Sequence, residues 1–407
     1  MSDPGPDQSA HQIQRLQLTI ILPVLLGIVG RAICWTRRPP DMALFLEPWF
    51  NHIVRYGPIG AFRHPFSNYE PAYLYLLAVG SLAHNAFAAM TIIKIMSVAG
   101  TLFLTLALAD LLRAAGAKAV DALLLLILPS VIFNDALLAQ CDALWAGCCI
   151  FALAAMIRGR TIRAMIWCGL AISFKAQAAF MAPVILGAMI GRRAPWWQWL
   201  IPAGVFLSTL IPAWLMGWPA ADLLTVYVGQ AKLDHLAGRL ANPWILGTIY
   251  NEQAARTLFF LGYLAAGGAA VAIAALAARA VRDARQLILL AALSGTALPF
   301  LLPKMLERYY FLGDVMTLAL ALSWKCPGTR TAVNAVQAAS ALSLITYVYF
   351  FYDPYPTLAG AVCAGAALFV MCRLAGPQFS GIVDWAKSRI SGQPVREGRV
   401  SSTGLQA

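Results

Sequence analysis

Between Thr36 and Glu70 the chain reads TRRPPDMALFLEPWFNHIVRYGPIGAFRHPFSNYE, with one carboxylate, Asp41, directly after a Pro-Pro step and a second, Glu47, a helical turn and a half further on. Arg37, Arg38, Arg55 and Arg63 share the stretch with the aromatics Phe45, Trp49, Phe50, Tyr56, Phe62, Phe66 and Tyr69. A carboxylate shielded by aromatic rings at a membrane interface can have its proton affinity tuned for general-base work, such as taking a proton from a hydroxyl that attacks an activated carbon. Solvated loop acids, one of them capping a helix that begins near Met42, would read the same way. The length of the stretch points to function or disorder, and its aromatic content argues for order. It reads as the lid and acid/base-bearing loop of a membrane enzyme.

Three other segments hold polar groups beside apolar runs. ALLAQCDALWAG carries Gln140 and Asp142 at the mouth of a span; ionisable groups at membrane depth are costly and mark sites or partners, although Asp142 can equally cap the helix after it. ISFKAQAAFMAP places Lys175 and Gln177 between two short apolar runs with no acid nearby in sequence. Lys175 therefore needs a partner in space (a phosphate, Asp142 or Glu307), unless it snorkels to the interface. PKMLERYYFLGD offers Arg308, a forked donor for phosphate or carboxylate, with Glu307 to hold it and Tyr309 beside it. Tyr227, Gln230, Lys232, Asn242, Pro243 and Trp244 add amides and rings of the kind that hold sugars.

The elements that position these groups are apolar helices. The 407 residues are 60% hydrophobic and 12% charged, a polytopic membrane composition. Spans are expected at roughly 16–35, 91–112, 119–134, 143–158, 162–174, 178–191, 197–216, 257–279, 286–302, 309–324, 331–350 and 356–373. Pro71–Leu82 is apolar but short, as an interfacial or re-entrant helix would be. The net charge of +12 comes largely from short loops that set topology, not from a nucleic-acid stripe. With the Pro71–Leu82 segment not crossing, Arg113 and Lys118, Arg158 to Arg163, Arg192 and Arg193, Arg279 to Arg285, Lys325 and Arg330 all face the cytoplasm. Both termini then lie there, and the candidate site residues gather on the outer face. The eight cysteines and five histidines form no metal-ligand spacing, and no phosphate-cradling or dinucleotide motif occurs. The first apolar run lacks a cleavage site and reads as a retained helix.

The expected organisation is a cytoplasmic N-terminus at 1–15, a membrane domain at 16–373 with external loops at 36–90 and 217–256, and a partly disordered cytoplasmic tail at 374–407. The fold expected is an all-α integral membrane bundle of about twelve transmembrane helices whose first external loop carries interfacial helices.

The acid in the first loop, then SNYEPAYLYLL, LPSVIFNDALLAQCDALWAG, GLAISFKAQAAFMAP and LPKMLERYYFLGD, in that order, resemble the GT-C glycosyltransferases, over roughly residues 35 to 320. Within these, the chain is most similar to the bacterial group related to GPI mannosyltransferase II. The resemblance implies a hexosyltransferase, mannose being the sugar expected, that inverts at the anomeric carbon and draws on a polyprenyl-phosphate-sugar donor. The acceptor would be a glycan or glycolipid, in glycan biosynthesis at the outer face of the bacterial inner membrane. It implies Asp41 as catalytic base, and Asp142, Lys175, Gln177, Glu307 and Arg308 around the donor and substrate, with no cofactor or metal; Glu47, Tyr69, Gln140 and Tyr309 are expected to join them there from their place in the sequence. The family commonly has His before the Glu-Arg-Tyr, where this chain has Leu306. The rival reading is a flippase or transporter of lipid-linked sugars, which should show internal repeats and helices broken at mid-membrane; no clear repeat is seen, and the acids cluster at one face.

Overall fold

The computed structural model describes residues 6–231, 239–349 and 353–391, with side chains for 18–230, 239–349 and 353–376. Its regular secondary structure is helical among the described residues, apart from one isolated bridge between Arg239 and Leu306. The α-helices in order are α1 (Pro6–Cys34), α2 (Glu47–Tyr56), α3 (Pro71–Ser81), α4 (Ala89–Ala114), α5 (Pro129–Ile132), α6 (Asp142–Ile157), α7 (Thr161–Phe174) and α8 (Ala182–Gly191). They continue as α9 (Ile201–Leu215), α10 (Ala220–Ala231), α11 (Ile245–Tyr250), α12 (Glu252–Thr257), α13 (Phe259–Arg279), α14 (Ala284–Leu301), α15 (Phe311–Ser323), α16 (Pro327–Tyr349) and α17 (Tyr355–Ser391).

A helix falls on every segment expected to span, but the expected count of twelve is not reproduced. Among the described residues, six helices are long and apolar enough to cross a bilayer, or seven if the pair Ala119–Ile127 and Pro129–Leu137, bent by 63°, is one broken span. The physical reason is length. A crossing takes about 20 residues, whereas α6, α7 and α15 have 16, 14 and 13. α6 and α15 are packed inside the bundle, so their apolar character reflects burial in protein as much as in lipid, while α7 keeps an exposed flank at Ile162 and Ile166. Segment Pro71–Leu82 forms the short helix α3, as expected.

Close packing relies on small residues at a few crossings. A Cβ on Gly187 or Gly191, one turn apart on α8, would fall 2.1 Å from Ala274 O and 2.0 Å from Ala278 O of α13, so only glycine lets these helices approach so closely. The turn between α6 and α7 is closed by Gly159 at φ +77°, a conformation that side chains rarely adopt.

The first loop is ordered around its own core. Met42, Leu46, Trp49, Phe50, Ile53, Phe62, Tyr73 and Leu77 are buried with Leu210, Ala213 and Trp218 of the region near α9. The second loop, 217–256, contains α10, α11 and α12; Lys232 lies outside the described residues. The tail after Arg373, expected to be disordered at its end, continues as helix α17 to Ser391, and 392–407 lie outside the described residues.

The loops at the two ends of the bundle differ in charge. Arg192 donates to Ile157 O at 3.2 Å and Val281 O at 2.8 Å, and Arg158 pairs with Asp110 at 2.8 Å, which ties three of the basic loops to one another and to α4. The opposite ends of α6 and α7 deliver Asp142 and Lys175 to the acidic and amide groups described next.

Candidate active site

Asp41 starts the turn that leads into α2, a wide π-helical turn over Met42–Leu46. It caps nothing: its side chain makes no bond to the first amides of that turn. The carboxylate instead reaches across the bundle. Oδ1 accepts from the Tyr347 hydroxyl of α16 at 2.7 Å, and Oδ2 accepts from Gln140 Nε2 at 3.0 Å and lies 3.0 Å from the Arg308 guanidinium.

The position of Asp41 is set from behind by Lys94 of α4. This fully buried lysine donates to the carbonyl oxygens of Cys34, Trp35 and Arg37, at 3.2, 2.6 and 2.7 Å. The last carbonyls of a helix have no partner within it, and a cation there also favours the helix dipole. Lys94 thus fixes the end of α1 and the chain that leads over Pro39 and Pro40 to Asp41.

Gln140 is aimed by a strained backbone. Ala139, just before it, is buried with φ at +54°, and Gln140 N bonds Asn134 O at 2.9 Å. Non-glycine residues held in this left-handed region gather at functional sites. The Gln140 amide then serves two sides: its nitrogen donates to Asp41, and its oxygen accepts from Tyr69 at 3.0 Å and from Lys175 at 3.4 Å.

Asp142 begins α6, yet its carboxylate also goes to side chains rather than to helix amides. Oδ1 meets Lys175 Nζ at 2.5 Å and accepts from Trp145 Nε1 at 3.0 Å; Oδ2 accepts from Asn134 at 2.8 Å. Lys175 is placed by an extended residue, φ −161° and ψ +141°, that separates α7 from the tight turn Ala176–Met181. It is 3% exposed, so it does not snorkel to the interface. Burial works against its charge, but the Asp142 carboxylate holds its ammonium pKa well above the ordinary lysine value.

Arg308 and Glu307 meet at 2.5 Å, and Arg308 Nε also lies 3.9 Å from Asp142 Oδ2. Burial again opposes the charge on Arg308, and Asp41 and Glu307 raise its pKa above the usual range. Burial also pushes the Tyr69 hydroxyl up to about 12. The Arg308 Nε and the Gln177 Oε1 are buried without a hydrogen-bond partner in the structure. Such groups cost free energy unless something satisfies them.

The cluster borders one cavity of about 480 Å³, within the usual size for a small-molecule site. Of the residues expected from sequence, Asp41, Tyr69, Gln140, Lys175, Gln177, Glu307, Arg308 and Tyr309 line it. Asp142 lies behind the lining, joined to it through Lys175. Glu47 does not reach the cavity; it pairs with Arg38, which is exposed. Among the lining residues not anticipated as site residues are Tyr347, Phe180 and Tyr263. Tyr263 is half exposed on α13, a helix whose apolar window is only 22% buried, so the cavity opens toward the apolar exterior of the bundle. Among the described residues no three His, Cys, Asp or Glu side chains gather as a metal cage.

The arrangement can hold an anion and move a proton. Arg308 and Lys175 supply two buried cations, and Asp41 is a carboxylate at the wall with amide, phenol and guanidinium partners. No curated protein matches the chain. Residues 56–191, less than half of the chain, match the MptA_B family, described as Alpha-(1->6)-mannopyranosyltransferase, N-terminal domain. The matched stretch contains Tyr69, Gln140, Asp142, Lys175 and Gln177 but neither Asp41 nor the Glu307–Arg308–Tyr309 run. It lends nothing to the narrower likeness to GPI mannosyltransferase II. The family so matched is one of mannosyltransferases, and the match supports a glycosyltransferase that acts on a sugar donor and a glycan acceptor.

Proposed function

We propose that the protein is an inverting GT-C glycosyltransferase that moves mannose from a polyprenyl-phosphate-linked donor to a glycan or lipid-linked acceptor. Asp41 takes the proton from the acceptor hydroxyl as the oxygen attacks the anomeric carbon. The bond to the donor phosphate breaks, and negative charge builds on the departing polyprenyl phosphate. Arg308 and Lys175, buried cations with fixed partners, stabilise that charge where the dielectric is low. Gln140 touches both the base and Lys175, so one amide sets the two in register. An α-linked product, as the matched family's description has it, follows from a single displacement only if the donor linkage is β.

The observation that carries this reading is the contact of Asp41 with Arg308 at the wall of a cavity that opens past Tyr263 to the apolar flank of the bundle. A lipid tail lies along that flank while the sugar phosphate enters. The positive-inside distribution of Arg and Lys supports a cavity at the extracytoplasmic face of a bacterial inner membrane, with both termini in the cytoplasm.

The test is transfer by the purified protein from β-polyprenyl-phosphate-mannose, with the glucose donor and a mannose nucleotide in parallel. Transfer from the lipid donor supports the reading. Absence of transfer, with lipid-linked sugar crossing a vesicle bilayer instead, would replace it with the flippase.

A further inference from the structure

At the ends of α6 and α7 away from Asp41, a second cavity of about 470 Å³ opens among α4, α6 and α7. The basic rim at Arg158 lies roughly 24 Å along α6 from Asp142. One wall of the second cavity is apolar. Phe151 and Trp167 stack there with ring centres 4.8 Å apart and planes 19° apart, and Ile166 extends the wall to the outer flank of α7, where it is 40% exposed.

The rim is basic, and its three arginines do different things. Arg158 is committed: its two terminal nitrogens reach both carboxylate oxygens of Asp110, at 2.8 and 2.9 Å, and its Nη2 also donates to the Asp110 carbonyl at 2.9 Å. That pair closes one side of the cavity and cancels its own charge. Arg160 and Arg163 line the same cavity, and among the described residues no carboxylate pairs with either of them. Two uncompensated guanidinium groups above an aromatic and aliphatic wall match a molecule with an anionic head and an apolar tail.

We propose that this cavity binds an anionic phospholipid, with its phosphate on Arg160 and Arg163 and an acyl chain along Ile166, Trp167 and Phe151. Guanidinium forks suit phosphate oxygens, and arginines at the membrane surface concentrate anionic lipid. A free phosphate would use the rim and leave the apolar wall wet; a zwitterionic lipid would use the wall and gain little from the rim. The site stands apart from the transfer chemistry and does not rest on it.

The experiment titrates the purified full chain in dodecyl maltoside with phosphatidylglycerol, phosphatidylcholine and chain-free glycerophosphoglycerol, and reads bound lipid by native mass spectrometry. The expected result is that phosphatidylglycerol binds about tenfold or more tighter than either comparison, and that Arg160→Gln with Arg163→Gln removes the preference. Arg160→Lys with Arg163→Lys, which keeps the charge, retains most of it, and this separates loss of charge from loss of fold. Ile166→Ser weakens both lipids and leaves glycerophosphoglycerol unchanged. Equal affinity for the two lipids, an unchanged preference in the Gln variant, or glycerophosphoglycerol binding as tightly as the whole lipid would each overturn the proposal.

Discussion

The Arg308 guanidinium lies 3.0 Å from Asp41 Oδ2, so the proposed base and the proposed phosphate ligand hold each other before any substrate is bound. A donor phosphate has to draw Arg308 toward itself, and in doing so it lessens the hold on the Asp41 carboxylate. Base and donor site are thereby coupled through one side chain. Arg308→Lys keeps a charge but loses the fork that spans Asp41 and Glu307. Transfer should fall about 100-fold to 1000-fold, the usual cost of removing a donor that stabilises developing charge. Steady-state kinetics with varied donor read this; a fall confined to KM would show that Arg308 only binds.

Lys175 and Asp142 are a buried pair at 2.5 Å, with both side chains nearly inaccessible. Removing one charge leaves the other buried, which costs about 3–5 kcal/mol. Asp142→Asn should therefore lower thermal stability in detergent markedly, and Asp142→Leu combined with Lys175→Met should recover much of it without restoring transfer. Equal melting temperatures for wild type and Asp142→Asn would refute the pairing.

Lys94 acts on Asp41 only through the backbone it caps. Lys94→Met frees three carbonyls at the end of α1 and lets the Asp41 turn shift. Misplacement of a catalytic group by an ångström costs on the order of 100-fold. The variant should lose kcat on that scale while donor affinity holds within about twofold, and Lys94→Arg should restore part of the rate. Loss of donor binding in step with kcat would instead indicate general unfolding.

Glu70, just before α3, is 2% exposed with Oε2 unpartnered, and burial raises its carboxyl pKa to about 8. Its folded pKa thus exceeds the unfolded value. The stability it contributes is complete below the ordinary carboxyl range and is lost as pH rises to about 8. Glu70→Gln should match wild type near pH 4 and become progressively the more stable protein up to pH 8, with a constant gap above. Thermal unfolding across that range decides it; a gap that does not change with pH would contradict a neutral buried Glu70.

Much of this site was legible because its residues are chemically out of place. Lys175 in an apolar run and Asp142 at a span mouth each called for a partner, and they prove to be each other's. Arg308 called for an anion and has two, Asp41 and Glu307. Tyr347 was not legible, since a tyrosine near the end of an apolar helix looks like any interfacial aromatic; only the packing of α16 shows that it donates to Asp41. Glu47 was read as a companion of Asp41 from proximity in sequence. Six residues along a helical path turn a side chain by about 600°, which points it well away from Asp41, and it meets Arg38 instead. Hydropathy located the helices but not the count of crossings, because an apolar run of 13 to 16 residues is equally satisfied by lipid or by neighbouring helices.

The central claim is that Asp41 is the base, and single-turnover transfer by Asp41→Asn tests it most directly. The account predicts that the variant folds, binds β-polyprenyl-phosphate-mannose as wild type does within a few-fold, and transfers at a rate lower by about 1000-fold or more. Transfer by Asp41→Asn at a rate near that of wild type would contradict the account and move the base to another carboxylate of the cavity.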